Sequence, residues 1–324
     1  MTTATQTSPA KRIARFMGDY PIVPLVILLA LLIGVLEFMR PGIVNERWLG
    51  NTIKFAIPLA MLAACQTLTM LTGGIDLSAA VAATISAFVM ATQVPIVGVP
   101  VAICIGLMPA IAIGLVNGFG VAVCRVHPLI MTLGTGLIGT GCLQVYQRFV
   151  IATGSVVPES LSWLGTGRTW GLPNSLLLFV PFAVLIIWAQ RRMGFGRLLY
   201  AVGSNETASS ISGVRTWQVY LALYALSGLI AGITGLLYVG LIKAPSLSLV
   251  NPLLLPSVAA AVIGGTSIFG GRGGYSGTIV GALILTVLGT LLTLLQMPEG
   301  ARRILFGLII LAVTTIYIRL TDQN

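Results

Sequence analysis

Ten mostly apolar stretches follow one another along the chain, each close to the length of a bilayer crossing. They cover 21–39, 52–72, 77–94, 97–123, 128–150, 174–190, 217–242, 252–269, 275–296 and 302–319. A spanning helix needs about 20 such residues, so a chain built of little else has lipid as its solvent. Only 8% of the 324 residues are charged, against about 25% in soluble domains. A soluble enzyme, a disordered protein and a secreted disulfide scaffold are thereby excluded. The expected fold is all-α, a polytopic membrane protein with about ten transmembrane helices that include broken and re-entrant segments. The 38 glycines and 16 prolines fit close helix contacts and interrupted helices. A polar tail over 1–20 precedes a single transmembrane domain over 21–324.

Charge sets the orientation. Lys11, Arg12 and Arg15 precede the apolar run Pro21–Leu36, and no small-x-small cleavage site follows. An uncleaved first span with a cytoplasmic N-terminus is expected. Ten spans then return the C-terminus to the cytoplasm. Segment 191–215, with Arg191, Arg192, Arg197 and Arg215, lies inside on this reading. The connection 151–173 lies outside, with Trp163 and Trp170 at the interface. The net charge of +10 is spread over loops rather than gathered into a stripe, so it orients spans and does not bind nucleic acid.

Much chemistry is missing. Cys65, Cys104, Cys124 and Cys142 form no C-x-x-C pair, and His127 is the single histidine. No zinc or redox motif can be written from them. The three lysines follow Ala10, Ile53 and Ile242, so no Gly-Lys-Ser/Thr phosphate loop exists. If transport is ATP-driven, the nucleotide sits on another polypeptide. Acids inside the spans are nearly absent, which leaves a proton relay poorly supplied.

Three motifs remain. Thr72-Gly-Gly-Ile-Asp-Leu-Ser78 interrupts a long apolar stretch. Asp76 there is placed to N-cap a helix starting at Leu77; direct substrate contact, or a gate or dimer contact, are the other uses open to it. Residues 203–213 are small and polar around Glu206 and predict a short helix between Asn205 and Ser212, with Ile211 and Val214 as apolar contacts. Little charge and small side chains suit a protein-facing knob better than a lipid anchor. Residues 264–274 hold six glycines and predict a tight re-entrant turn, tolerated at membrane depth only under cover of protein or a water cavity. Glycines four apart, Gly114/Gly118, Gly228/Gly232 and Gly277/Gly281, predict close helix packing.

Four patterns in register resemble the permeases of ribose-type carbohydrate ABC importers. They are G-G-I-D-L-S at 73–78, L-G-x-G-R-x-x-G-x-P at 164–173, G-R-x-x-Y-A-x-G-x-N-x-x-A at 196–208 and A-A-V-I-G-G-T-S-x-x-G-G-x-G-G at 260–274. The resemblance implies a non-catalytic subunit of the bacterial cytoplasmic membrane that carries a monosaccharide or polyol. It implies a second permease chain, identical or similar, an ABC ATPase that holds the ATP, and a soluble substrate-binding protein outside. No cofactor is expected on this chain. By position, Gly203, Ser204, Asn205, Glu206, Ala208, Ser212 and Gly213 resemble the element that couples to the ATPase. Gly73, Gly74, Asp76 and Ser78, with Gly264, Gly265, Thr266 and Ser267, resemble elements near the translocation pathway and its gate. The competing readings are a permease of the same fold for branched-chain amino acids or nucleosides, and a secondary carrier.

Overall fold

The computed structural model describes residues 22–150 and 154–298, with scattered positions from 300 to 311. The tail over 1–20 and almost all of the expected last span, 302–319, lie outside the described residues. The chain is helical almost throughout. Among the described residues, seven helices are long and apolar enough to cross a membrane, and eight if a bent pair counts as one span.

The first helix, α1 (Ile22–Met39), is apolar on all sides, and Leu36 is its one buried residue. It therefore lies at the periphery, where lipid replaces packing. The second, α2 (Glu46–Met70), is the opposite case, buried over most of its length. It begins six residues before the apolar stretch does, because Asn45 caps it by accepting the Trp48 N–H at 2.9 Å. Helices α3 (Ala79–Val97), α4 (Val99–Ala122) and α5 (Pro128–Val150) follow as an up-down series. The outer connection folds as a short helix, α6 (Glu159–Thr166), and a two-stranded antiparallel hairpin, β1 (Arg168–Thr169) and β2 (Leu172–Pro173). Next come α7 (Leu176–Arg192) and α8 (Gly194–Ser204), which meet at a 64° bend.

The expected short helix is present as α9 (Glu206–Ile211), with Asn205 accepting the Ala208 N–H at 2.9 Å. The longest helix, α10 (Thr216–Ile242), occupies the centre and packs on α2, α3, α4 and α6. The expected span 252–269 is corrected. A 3-10 turn, Asn251–Leu253, leads into α11 (Leu254–Ile263), whose ten residues rise about 15 Å, half of a hydrocarbon core. Gly264 and Gly265 end it, the latter at φ +87°. The last fully described helix is α12 (Tyr275–Leu294).

Glycine spacing does what packing predicts. A Cβ at Gly114 would overlap the Tyr224 carbonyl, and one at Gly228 the Ala110 carbonyl, so α4 and α10 meet backbone to backbone. Gly277 and Gly281 bring α12 equally close to Gly264 and Ala260. Hydroxyls inside the bundle bond back to carbonyls one turn earlier, as Thr84 does to Ala80 at 2.8 Å and Thr234 to Ile230 at 2.8 Å. That satisfies them without water.

Candidate functional site

The C-terminal end of α2, the starts of α3, α5 and α12, the end of α8 and all of α9 gather at one end of the bundle. Three backbone segments interlock there. Gly203, at the end of α8, lies so close to the Leu71 carbonyl that a Cβ would overlap it. The Gly271 N–H donates to that same Leu71 carbonyl at 3.0 Å. A Cβ on Gly270 would meet the Gly203 carbonyl. The Tyr200 hydroxyl adds a bond to the Gly273 carbonyl at 2.7 Å. The break after α2, the end of α8 and the glycine turn are thus one knot, with no side-chain layer between them.

The break itself is held by side chains. The helix stops because Gly73 takes φ +76°, a conformation open to glycine and strained for other residues. Beyond it, residues 75–78 have no helical ladder, and buried backbone groups must find partners elsewhere. The Gln66 side-chain amide pairs with both backbone groups of Asp76, donating to its carbonyl at 2.8 Å and accepting from its N–H at 3.2 Å. The Thr132 hydroxyl donates to the Ile75 carbonyl at 3.0 Å and accepts the Leu77 N–H at 3.1 Å. Asp76 Oδ1 accepts the Ser78 N–H at 3.0 Å and the Ser78 hydroxyl at 2.6 Å. Asp76 Oδ2 accepts the Ser227 hydroxyl of α10 at 2.6 Å. The Ser78 hydroxyl accepts from Asn117 Nδ2 at 2.8 Å, and Asn117 Oδ1 accepts from Thr135 at 2.6 Å. Five helices, α2, α3, α4, α5 and α10, therefore converge on this break.

Two expectations about Asp76 are refined by this geometry. Helix α3 starts at Ala79 rather than Leu77, with Ser78 as its cap residue. Asp76 stands two residues before that cap and captures the Ser78 N–H at the helix entrance. Its side chain is buried and faces neighbouring helices, not an open cavity. Gly74, Ser78, Gly264, Thr266 and Ser267 are buried as well, whereas Gly73 and Gly265 are exposed. Asp76 and Ser78 thus form a packed node beside the knot, while Gly264 packs on α12 and Thr266 against Gly273.

The expected coupling residues form an exposed knob. Ser204, Asn205, Ala208, Ser212 and Gly213 face outward, with Gly203 and Glu206 partly covered. Ile211, expected as an apolar contact, is 83% exposed. Glu206 ties the knob to the bundle: Oε1 pairs with Arg125 Nη1 at 2.6 Å and Oε2 accepts the Tyr220 hydroxyl at 3.2 Å. Arg125 sits in the α4–α5 corner at φ +56°, two residues before His127 and three before Pro128, whose ring lies against Gly74. Sequence reasoning did not select Arg125, Tyr220, Gln66, Ser227 or Thr132. Gln66 and Asn117 did leave a signal, as amide side chains inside apolar stretches.

A recess of about 400 Å³ opens between α3, α4 and α5, lined by Ile85, Val89, Ile113, Val116, Ile138 and Leu143 among others. Its exposed walls are almost wholly apolar, although Thr135 and Tyr146 are among the lining residues, so it offers few hydrogen-bond partners for a hydroxyl-rich ligand. None of the expected site residues lines it. No group of His, Cys, Asp and Glu that could hold a metal ion occurs among the described residues.

Comparison with known proteins agrees with the arrangement. The chain is 32% identical over 306 residues to a probable ABC transporter permease, YphD, of Escherichia coli K12, covering 93% of this chain and 90% of that protein. It is 33% identical over 285 residues to the ribose import permease RbsC of Bacillus subtilis 168, covering 87% and 88%. It is 32% identical over 315 residues to the galactofuranose transporter permease YtfT of Escherichia coli K12, covering 95% and 91%. No solved structure matches. The family described as branched-chain amino acid transport system / permease component matches residues 48–314. That match covers the node, the knob and every span after α1, and the chain belongs to this permease family.

Proposed function

We propose that this permease is the non-catalytic transmembrane subunit of an ABC importer for a monosaccharide or polyol. A soluble binding protein delivers the sugar from outside, and a separate ATPase holds the ATP. The similarity of 87–95% of the chain to permeases named for ribose and galactofuranose is the observation that carries this reading. It favours a sugar over the branched-chain amino acids in the family's description.

The knob at α9 is the docking element for the ATPase in the cytoplasm. Its exposure, its polar surface and its direct backbone contact with the break at 71–78 support that role. ATP binding closes the ATPase, and the movement passes through Gly203 to Leu71 and through Glu206 to Arg125. The ATPase binds the two conformations of the permease unequally and so shifts their populations. Gly73, Gly74, Asp76, Ser78 and the turn at Gly264–Ser267 are the elements that rearrange. The recess between α3, α4 and α5 is apolar and suits a sugar poorly, which supports a route between two permease chains in the membrane.

The test is Gly213→Arg in the reconstituted importer. Gly213 has φ +88° and open space around it, so the arginine strains the end of the knob and projects toward the ATPase. Assembly of the complex by size exclusion is expected to persist while sugar uptake is lost. Full uptake by this variant would remove the coupling role.

A further inference from the structure

The hairpin of the outer connection has an unusual tip. Its register pairs Arg168 with Pro173 and Thr169 with Leu172, which leaves Trp170-Gly171 as a two-residue turn. Both residues have positive φ, +51° and +78°, the type I′ pattern that favours Asn-Gly or Asp-Gly. A bulky side chain at the first position is an outlier. The indole is 97% exposed, so no contact within the chain offsets the strained backbone. Strain of this kind is retained where function needs it.

The tip is also held firmly. The Arg168 guanidinium lies on Gly50, and its Nη2 donates to the Arg47 carbonyl at 3.2 Å and to Asn51 Oδ1 at 2.8 Å. Thr169 donates to Asn174 Oδ1 at 2.7 Å, and Asn174 Nδ2 donates to the Trp163 carbonyl at 3.2 Å. Gly165 and Gly240 bring α6 and the end of α10 into backbone contact. Leu172 and Trp163, both half exposed, widen the apolar surface around the tip. Arg47, Lys54 and Arg168 sit nearby, with Glu46 as the acid of that helix turn. This face is opposite the α9 knob, because α7 crosses the bundle between them.

We propose that Trp170 is the anchor on which the soluble binding protein docks, its indole entering an apolar cleft rimmed by carboxylates. The assignment rests on the importer reading above and names the surface of that partner. A pre-aimed aromatic side chain on a clamped turn lowers the ordering cost of docking, and tryptophan leads among interface anchors. A membrane-interface tryptophan needs neither a fixed aim nor a strained turn.

Asparagine suits the first position of this turn, so Trp170→Asn removes the anchor and keeps the hairpin. Uptake into proteoliposomes is measured against the concentration of the binding protein that copurifies with the importer. Trp170→Asn is expected to raise the half-saturating concentration about 30-fold, with uptake at saturation and melting temperature preserved. Trp170→Phe recovers part of the affinity. An unchanged half-saturating concentration overturns the proposal. The chain holds five tryptophans, so the emission that Trp170→Phe removes is the readout; its quenching by brominated lipid, with the titration unchanged, assigns the indole to the membrane and overturns the proposal as well. Uptake by the parent importer that needs no binding protein would overturn the importer reading, and this assignment with it.

Discussion

Asp76 is either the pin that holds the break together or a group that must meet the transported molecule, and its substitutions separate the two. Its carboxyl group receives three donors: the Ser78 N–H, the Ser78 hydroxyl and the Ser227 hydroxyl. Asp76→Ala removes both acceptor oxygens and so all three bonds. The Ser227 hydroxyl can turn to the carbonyl one helical turn back, which leaves two donors stranded. Each buried unsatisfied donor costs about 1–3 kcal/mol, so the loss is about 2–6 kcal/mol. Asp76→Asn retains an oxygen for the Ser78 donors and presents an amide to the Ser227 hydroxyl, which can accept. Its loss is about 1 kcal/mol.

Thermal unfolding in nanodiscs reads the difference. At roughly 2 °C per kcal/mol, Asp76→Ala melts about 4–12 °C below the parent and Asp76→Asn about 2 °C below. Ser227→Ala removes the hydroxyl that Oδ2 accepts, so the Asp76→Asn/Ser227→Ala pair is expected to be non-additive. Sugar uptake at a temperature where all variants are folded completes the test. A pin tolerates Asp76→Asn with much of its uptake intact. Uptake abolished by Asp76→Asn at unchanged melting temperature would refute the pin and make the carboxyl group a participant in transport. Asp76→Ala melting with the parent would refute the hydrogen-bond reasoning itself.

Two further outcomes follow from the knot and the knob. Gly203→Ala places a methyl on the Leu71 carbonyl, and neither backbone can yield alone, so a loss of about 1–3 kcal/mol is expected together with fewer sugars moved per ATP; a parent-like melting curve would show that the segments are not in contact. Arg125→Ala and Glu206→Gln break an ion pair between exposed side chains, whose contribution to stability is below about 1 kcal/mol. Melting is expected to stay within about 2 °C while the ratio of ATP hydrolysed to sugar imported rises, and an unchanged ratio would take the pair out of the transmission path.

Most of the bundle was legible because hydropathy reports directly on lipid. The break at 72–78, the knob at 205–212 and the glycine turn could be read from residues that no spanning helix would choose. Errors fell where local pattern and tertiary context part. The span expected at 252–269 is apolar along Ala259–Ile263 just as a full crossing would be. Only the buried approach of Leu249 and Val250, with the Val250 N–H on Thr84 Oγ1 at 3.2 Å, makes a half-helix sufficient there. Helix α2 starts early because a capping Asn45 rescues polar residues that hydropathy discards. The partners of Asp76 and Glu206 were out of reach. Ser227 lies 151 residues from Asp76, and Arg125 lies 81 from Glu206, with no local periodicity to connect them.

The bonding of the break explains why a knob at the surface can move it. A helical segment resists displacement cooperatively, because each carbonyl is tied to an N–H one turn away. Residues 75–78 have no such ladder. Their backbone groups rest on Gln66, Thr132 and Asp76, side chains that can exchange partners singly. The knot above them is built the other way, from backbone against backbone at Gly203, Leu71 and Gly270, with nothing compressible in between. Close-packed atoms pass on a displacement rather than absorb it. On the proposed coupling, a shift of α9 reaches Leu71 through Gly203 at the end of α8 and is taken up in the next few residues, where the chain is held by replaceable bonds. The two-state element that coupling requires is in this view the break at 72–78, and the side-chain network around Asp76 sets which of its arrangements is favoured.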